Sequence, residues 1–326
     1  MESESLAELS NALVYSSMFV MALAMFAFAA SFAARRAPAT AVTQEVAEQV
    51  PQQVPAAVGG SADVTQPETA PPPAPAEEPG RRSGNIGMAL SWLSFVLLFG
   101  GVLARGLWAE RVPWGNMYEF SITSALAVLG VFLLVSLKRD VRWLGVFLIP
   151  LVLLTLGLAV TVLYTEAAQL VPALQSTWLI IHVSTAIVCG GAFTYAGVVA
   201  GLYLVVNGAG ESGWRASWSA RLPDAQRLDR MVYRTLAFTF PLWTFAIVAG
   251  AIWAESAWGR YWGWDPKETW AFITWVVYAA YLHARSTAGW KGSRAAWLAI
   301  IGMAVFWFNY FGVNLLFSGL HSYAGV

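Results

Sequence analysis

Trp258-Gly-Arg-Tyr-Trp-Gly-Trp-Asp-Pro-Lys-Glu-Thr-Trp270 sets four tryptophans and a tyrosine within thirteen residues, between two apolar runs. Indole faces stack on flat conjugated rings, and indole N–H groups supply polar handles at the boundary between apolar and wet surroundings. The tail of the stretch reads as a helix start. Asp265 can cap, Pro266 suits the first turn, and Glu268 falls three residues after the cap, as in a capping box. The alternative is an aromatic belt, because tryptophan is enriched wherever membrane segments leave the hydrocarbon. Four tryptophans around a glycine-hinged loop are denser than scattered belt residues.

The surrounding composition puts this loop at a bilayer. Charged residues make up 12% of the 326-residue chain and apolar ones 58%, a balance foreign to a soluble core. Eight runs, near 12–34, 86–108, 116–136, 142–164, 177–205, 232–254, 267–285 and 295–316, are long enough to cross roughly 30 Å of hydrocarbon as helices. Backbone polar groups in lipid must be satisfied internally. The expectation is therefore an all-α polytopic membrane bundle of about eight transmembrane helices.

The first run carries Glu2, Glu4 and Glu8 before it and Arg35 and Arg36 after it. A cleaved signal would show positive charge in front, so the run reads as an anchor. Alternate threading then leaves only Arg105, Arg111, Arg260 and Lys267 of the nineteen basic residues on the outer side, and the positive-inside rule favours that orientation. Both termini and the tryptophan loop face the extracytoplasmic side in this reading. Three parts follow: an N-terminal transmembrane anchor over 1–34, a Pro/Ala-rich linker over 35–85, and a seven-helix remainder over 86–326. The linker is expected to stay disordered on the cytoplasmic side, since it lacks the aromatic and apolar content to bury a core. The basic connection 206–231 is expected to lie along the inner surface, where arginines meet anionic head groups. No P-loop, dinucleotide fingerprint or internal repeat is present, and nothing points to nucleic acid.

The three histidines divide by depth. His182 lies about 9 Å, six residues at 1.5 Å each, into the fifth run, and His321 follows the last run on the same side. Both can approach the aromatic loop. His283 is about 27 Å along one helix from Asp265 and belongs near the other end. Neutral imidazole is a good iron ligand, and two imidazoles on opposite faces of a porphyrin make a six-coordinate haem. Interhelical hydrogen bonding is the alternative for any single membrane histidine. Cys189, the one cysteine, sits beside Gly190 and Gly191 and reads as a small packing residue, with no disulfide or thiol-exchange pair within the chain. Glu119 is a candidate for shaping the outer site, with an interfacial structural role as the alternative.

Trp258 to Phe272, then Tyr281-Leu-His-Ala-Arg285, Val313-Asn-Leu-Leu-Phe-Ser-Gly-Leu-His-Ser-Tyr323 and Pro113-Trp-Gly-Asn-Met-Tyr-Glu119 resemble the CcsA (ResC) proteins of system II cytochrome c biogenesis. These belong to a haem-handling group marked by a tryptophan-rich "WWD" motif, and the likeness covers about 86–326. It implies that His182 and His321 are external axial ligands of haem iron, and that Trp258, Tyr261, Trp262, Trp264, Asp265 and Trp270 shape or contact the haem-binding platform. His283 is implied to hold haem iron near the inner side, with a second histidine from a CcsB/ResB-type membrane subunit. The resemblance further implies a cytochrome c haem lyase, or holocytochrome c synthase, acting as a complex with that subunit in the plasma (inner) membrane. Haem b would be moved across the membrane, presented at the WWD site, and attached through thioether bonds to Cys-x-x-Cys-His of an apocytochrome c kept reduced by upstream thiol-reducing proteins. The rival readings are a haem transporter without attachment chemistry and a structural haem-binding subunit of an electron-transfer complex.

Overall fold

The protein is described by a computed structural model covering residues 2–35, 79–167, 175–287 and 289–321. Its described part is all helical. The helices are α1 (Glu2–Ala34), α2 (Arg81–Trp108), α3 (Met117–Ser136), α4 (Gly145–Thr161), α5 (Thr177–Asn207), α6 (Gly213–Ser219), α7 (Ala225–Trp258), α8 (Pro266–Ser286), α9 (Ser293–Trp307) and α10 (Val313–Leu316). A π-helical turn, Phe308–Gly312, joins the last two.

Seven of these segments are long and apolar enough to cross a membrane: Glu4–Ala34, Arg81–Trp108, Met117–Ser136, Arg142–Thr161, Thr177–Asn207, Ala225–Trp258 and Ser293–Leu316. The eighth expected span, α8, has the length but carries Lys267, Glu268, His283 and Arg285 near its ends. Arg285 at its end forks onto Asp229 near the start of α7 at 2.6 and 2.9 Å, while its beginning lies a short loop beyond the end of α7. It therefore runs back along α7 for most of that helix's length, but it falls outside the seven segments that meet the length and apolarity of a span, one fewer than the sequence predicts.

Local chemistry sets the helix starts. Asn116 accepts from the Glu119 amide at 2.8 Å, Ser176 from the Trp178 amide and Asp224 from the Arg227 amide at 2.7 Å, so each satisfies a donor that a first turn leaves open. The Asp224 cap starts α7 seven residues before its apolar run. Gly259, at φ 68°, closes α7 in the left-handed conformation that glycine tolerates best.

Small residues bring the helices together. Gly101 faces Val14, where a Cβ would come within 2.9 Å of the valine methyl, and Ser17 and Ser94 exchange hydrogen bonds with each other's backbone carbonyls at 2.9 and 2.7 Å. These contacts seat α1 along α2, as small-residue interfaces do in lipid. Gly190 meets the Phe306 ring and Gly191 the Ala127 backbone in the same way, and the neighbouring Cys189 is buried with its Sγ 4.0 Å from the Thr239 carbonyl of α7. The segment expected to link α1 to the rest, 35–85, lies mostly outside the described residues. The starts of α1, α3, α5 and α8 and the ends of α2, α4, α7 and α10 share one end of the bundle with His321.

Candidate functional site

At that shared end, the loop between α7 and α8 curls around one carboxylate. Glu268 Oε2 accepts from the amides of Gly263 (2.8 Å) and Asp265 (3.1 Å), and Arg260 donates to Oε1 at 3.1 Å. Gathering the amides on both sides of Trp264 holds that residue at φ 57°. This is an uncommon conformation for an aromatic side chain, and one that persists only where the surroundings over-determine it. The expected capping box is present, with Asp265 as the cap and Glu268 as its reciprocal partner.

Asp265 also reaches across the bundle. Its Oδ1 accepts from the Leu320 amide at 2.7 Å and its Oδ2 lies 2.8 Å from His321 Nδ1. Burial alone would raise its pKa, but hydrogen bonds from the His321 ring and from the Leu320 and Lys267 amides, together with attraction to the imidazole, hold it below the ordinary value. Gly319 permits this approach, since a Cβ there would stand 2.5 Å from Asp265 Oδ1. His182, on α5, is fixed in a parallel way: its Nδ1 lies 2.7 Å from the Ala246 carbonyl of α7, and Gly250 leaves room for the ring. A carbonyl oxygen can only accept, so His182 Nδ1 carries the proton and Nε2 keeps its lone pair. At His321 the carboxylate favours the same tautomer. An acceptor on one ring nitrogen orients the other as a metal ligand.

Trp253 joins the two imidazoles. It is almost fully buried, stacks near His182 (6.4 Å between centroids, 15° between planes) and stands edge-on to His321 (5.9 Å, 66°). Trp258 packs on both Trp253 and His321, at 4.7 and 5.1 Å. Two adjoining hollows, of about 790 and 720 Å³ counting their open mouths, both reach His182, His321, Trp253 and Lys267. Trp258, Tyr261, Trp262 and Glu268 line the first, whereas Trp114, Asn116 and Met117 line the second. Both are lined mainly by apolar and aromatic side chains with a few polar groups, the character of small-molecule and cofactor sites.

The sequence-derived candidates therefore separate. His182, His321, Trp258, Tyr261 and Trp262 meet at one site, and Asp265 supports it from beneath. Trp264 is exposed beside Trp262 and Phe272, and Trp270 packs on Phe308 at 4.4 Å, so neither lines the first hollow. His283 is exposed on α8 near the opposite end. Glu119 is fully buried between Arg105 (3.0 Å) and Arg111 (2.7 Å) and also accepts from the Gly115 amide. It ties down the 109–116 loop whose residues line the second hollow.

Residues 114–321 match the family described as Cytochrome C assembly protein. The chain is 39% identical over 284 residues to the cytochrome c biogenesis protein CcsA of Synechococcus elongatus, a match covering 74% of this chain and 86% of that protein. It is likewise 39% identical over 236 residues to CcsA of Guillardia theta, covering 66% and 78%.

The chain belongs to the CcsA family of cytochrome c biogenesis proteins.

A solved structure described as Cytochrome c Heme Lyase CcmF shares the fold, with a TM-score of 0.63 over 97% of this chain and 47% of that one at 15% identity. The chain thus spans about half the length of that protein, and the likeness is one of fold. As a CcsA protein this is a multi-pass membrane protein of cytochrome c biogenesis, and its family match includes both clustered histidines. Sequence reading missed Trp253, Gly250, Lys267 and Tyr310, the last of which lines both hollows. Trp253 lies five residues before the motif inside an apolar helix and carries no local signal. Lys267 is inside the motif, yet its role follows from a distant partner: its Nζ donates at 2.9 Å to the Asn309 carbonyl, in the π-helical turn where the regular backbone ladder is interrupted.

Proposed function

We propose that this chain receives haem b at the hollow between His182 and His321 and presents it for attachment to an apocytochrome c, as one subunit of a cytochrome c synthase. The observation that carries this reading is the matched anchoring of the two imidazoles. Each is held through Nδ1, by Ala246 O and by Asp265 Oδ2 respectively, which orients both rings beside an indole-lined space with Nε2 as the ligating nitrogen in this reading. Porphyrin faces suit the walls supplied by Trp258 and Trp262, and the imidazoles suit the two axial positions.

In this reading the residues bind and orient. Each thiol of a Cys-x-x-Cys-His segment adds its S–H across one vinyl C=C, forming a C–S and a C–H bond. Holding vinyl and thiol in contact removes much of the entropic barrier. The histidine of the same segment then replaces His182 or His321 on iron, which releases the product. The aromatic loop would face the extracytoplasmic side of the plasma membrane, in keeping with the basic residues concentrated toward the other end. His283, exposed there, would meet incoming haem with a second ligand from a CcsB/ResB-type subunit. Thiol-reducing proteins upstream would keep the apocytochrome reactive.

The test is the visible absorption spectrum, oxidised and reduced, of the chain purified with its associated subunit, beside the His182→Ala/His321→Ala variant. A six-coordinate haem spectrum that changes or vanishes in the variant is the expected result. An identical spectrum in both would remove the ligand assignment. Haem that is bound but never transferred to a Cys-x-x-Cys-His peptide would favour a transporter or an electron-transfer subunit.

A further inference from the structure

At the end of the bundle away from the aromatic loop, a separate hollow of about 1050 Å³, counting its open side, lies among the end of α1, the turn before α2, the turn before α4 and the α6–α7 connection. Five arginines from these segments line it, Arg35, Arg81, Arg142, Arg221 and Arg227, with Asp140 as the carboxylate among its lining residues. Asp140 is already engaged. It accepts from Arg142 Nε at 2.8 Å and Nη2 at 2.7 Å and lies 3.8 Å from Arg35. Arg81, Arg221 and Arg227 have no carboxylate at ion-pair distance among the described residues. Among the described residues the hollow therefore holds a surplus of guanidinium charge brought together by tertiary structure, in addition to the ordinary excess of basic residues along loops.

An independent feature gives its depth. Phe32, Phe147 and Trp218 form a cluster with ring centroids 5.4 to 5.9 Å apart, and the Arg221 guanidinium lies 5.9 Å over the Phe32 ring. Trp218 sits on α6, a seven-residue helix with no buried residue, whose Trp214 is 59% exposed. Exposed tryptophans beside arginines mark the level at which spans meet lipid head groups. Guanidinium groups fork onto phosphate oxygens with two parallel hydrogen bonds, a geometry that an ammonium cannot offer.

We propose that this hollow binds the phosphate of an anionic phospholipid, with Arg81, Arg221 and Arg227 as its principal contacts and the Arg142–Asp140 pair as the fixed wall. The site is distinct from the haem hollow and stands or falls independently of it. Lipid phosphate and free phosphate share the chemistry, and the aromatic cluster at head-group depth favours the lipid.

The full-length protein in neutral detergent at low ionic strength is titrated with phosphatidylglycerol, phosphatidylcholine and inorganic phosphate, and the unfolding temperature is followed. Phosphatidylglycerol is expected to raise it at concentrations where the other two do not. Each Arg→Gln change should weaken the response about fivefold, and Arg81→Gln/Arg221→Gln/Arg227→Gln about a hundredfold. Lys291→Gln/Arg294→Gln, on the same end but outside the hollow, should leave the response within about twofold, less than the loss expected for one arginine of the site. An equal effect of inorganic phosphate would overturn the lipid assignment. An equal effect of phosphatidylcholine, or an equal loss in the Lys291/Arg294 control, would overturn the site itself. If the triple variant fails to fold, Arg227→Gln alone and the three-probe comparison on the unmodified chain decide the matter.

Discussion

At the aromatic-loop end, Arg105, Arg111, Arg260 and Lys267 all donate to protein oxygens, whereas at the opposite end Arg81, Arg221 and Arg227 line a hollow with no carboxylate at ion-pair distance from them among the described residues. The histidines repeat the contrast. His321 is held by Asp265 within a cluster of indoles, while His283 is exposed on the outside of α8. Buried charge must be paired inside the protein, and exposed charge can be left to the surroundings. The first end is thus organised in advance around two imidazoles, and the second leaves its groups to the surroundings.

The strongest way to break this contrast is at the imidazoles. Loss of cytochrome maturation is expected for both His182→Ala and His321→Ala, with partial recovery on added imidazole if ligation is all that is missing; unchanged maturation in both would remove the distinction between the ends. Glu119→Gln should be the most damaging change to stability on the same side. It leaves the buried Arg105 guanidinium without its counter-charge, a loss of about 3–5 kcal/mol, read as a lower midpoint of thermal or denaturant unfolding.

Finer changes sharpen the comparison. Asp265→Asn keeps a competent helix cap yet removes the carboxylate from His321, so haem affinity is expected to fall about 10- to 100-fold with little change in unfolding temperature. Equal haem affinity would mean that Asp265 acts only as a cap. Gly250→Ala places a methyl where His182 Nδ1 lies 2.6 Å away, so the ring must leave the Ala246 carbonyl. The expected result is an altered haem spectrum in a protein that retains its helical circular dichroism. The smallest effect is expected from His283→Ala, namely reduced haem loading at the outer site with an unshifted spectrum for the haem that does arrive.

Much of the architecture was readable along the chain because its signals are local. Apolar runs of sufficient length report spans, and Asp265-Pro266-x-Glu268 reports a helix start wherever it occurs. The helix α8 was legible from its capping box although it is not among the seven segments apolar enough to span, and its placement depends on Asp229, 56 residues from Arg285. His182 and His321 could be brought to one level by counting residues along helices. Trp253 could not be found that way, since nothing in its neighbourhood distinguishes it from a packing residue on α7.

The sequence by itself determined a helical membrane bundle, the place of the indole-rich loop at one end of it, and which histidines could reach that loop, because length, hydropathy and helix rise act residue by residue. Only the tertiary structure decided which ring nitrogen of each histidine is held. That choice rests on Ala246, 64 residues from His182, and on Asp265, 56 residues from His321. A hydrogen bond across such separations is specified by how helices pack, and no local pattern encodes it.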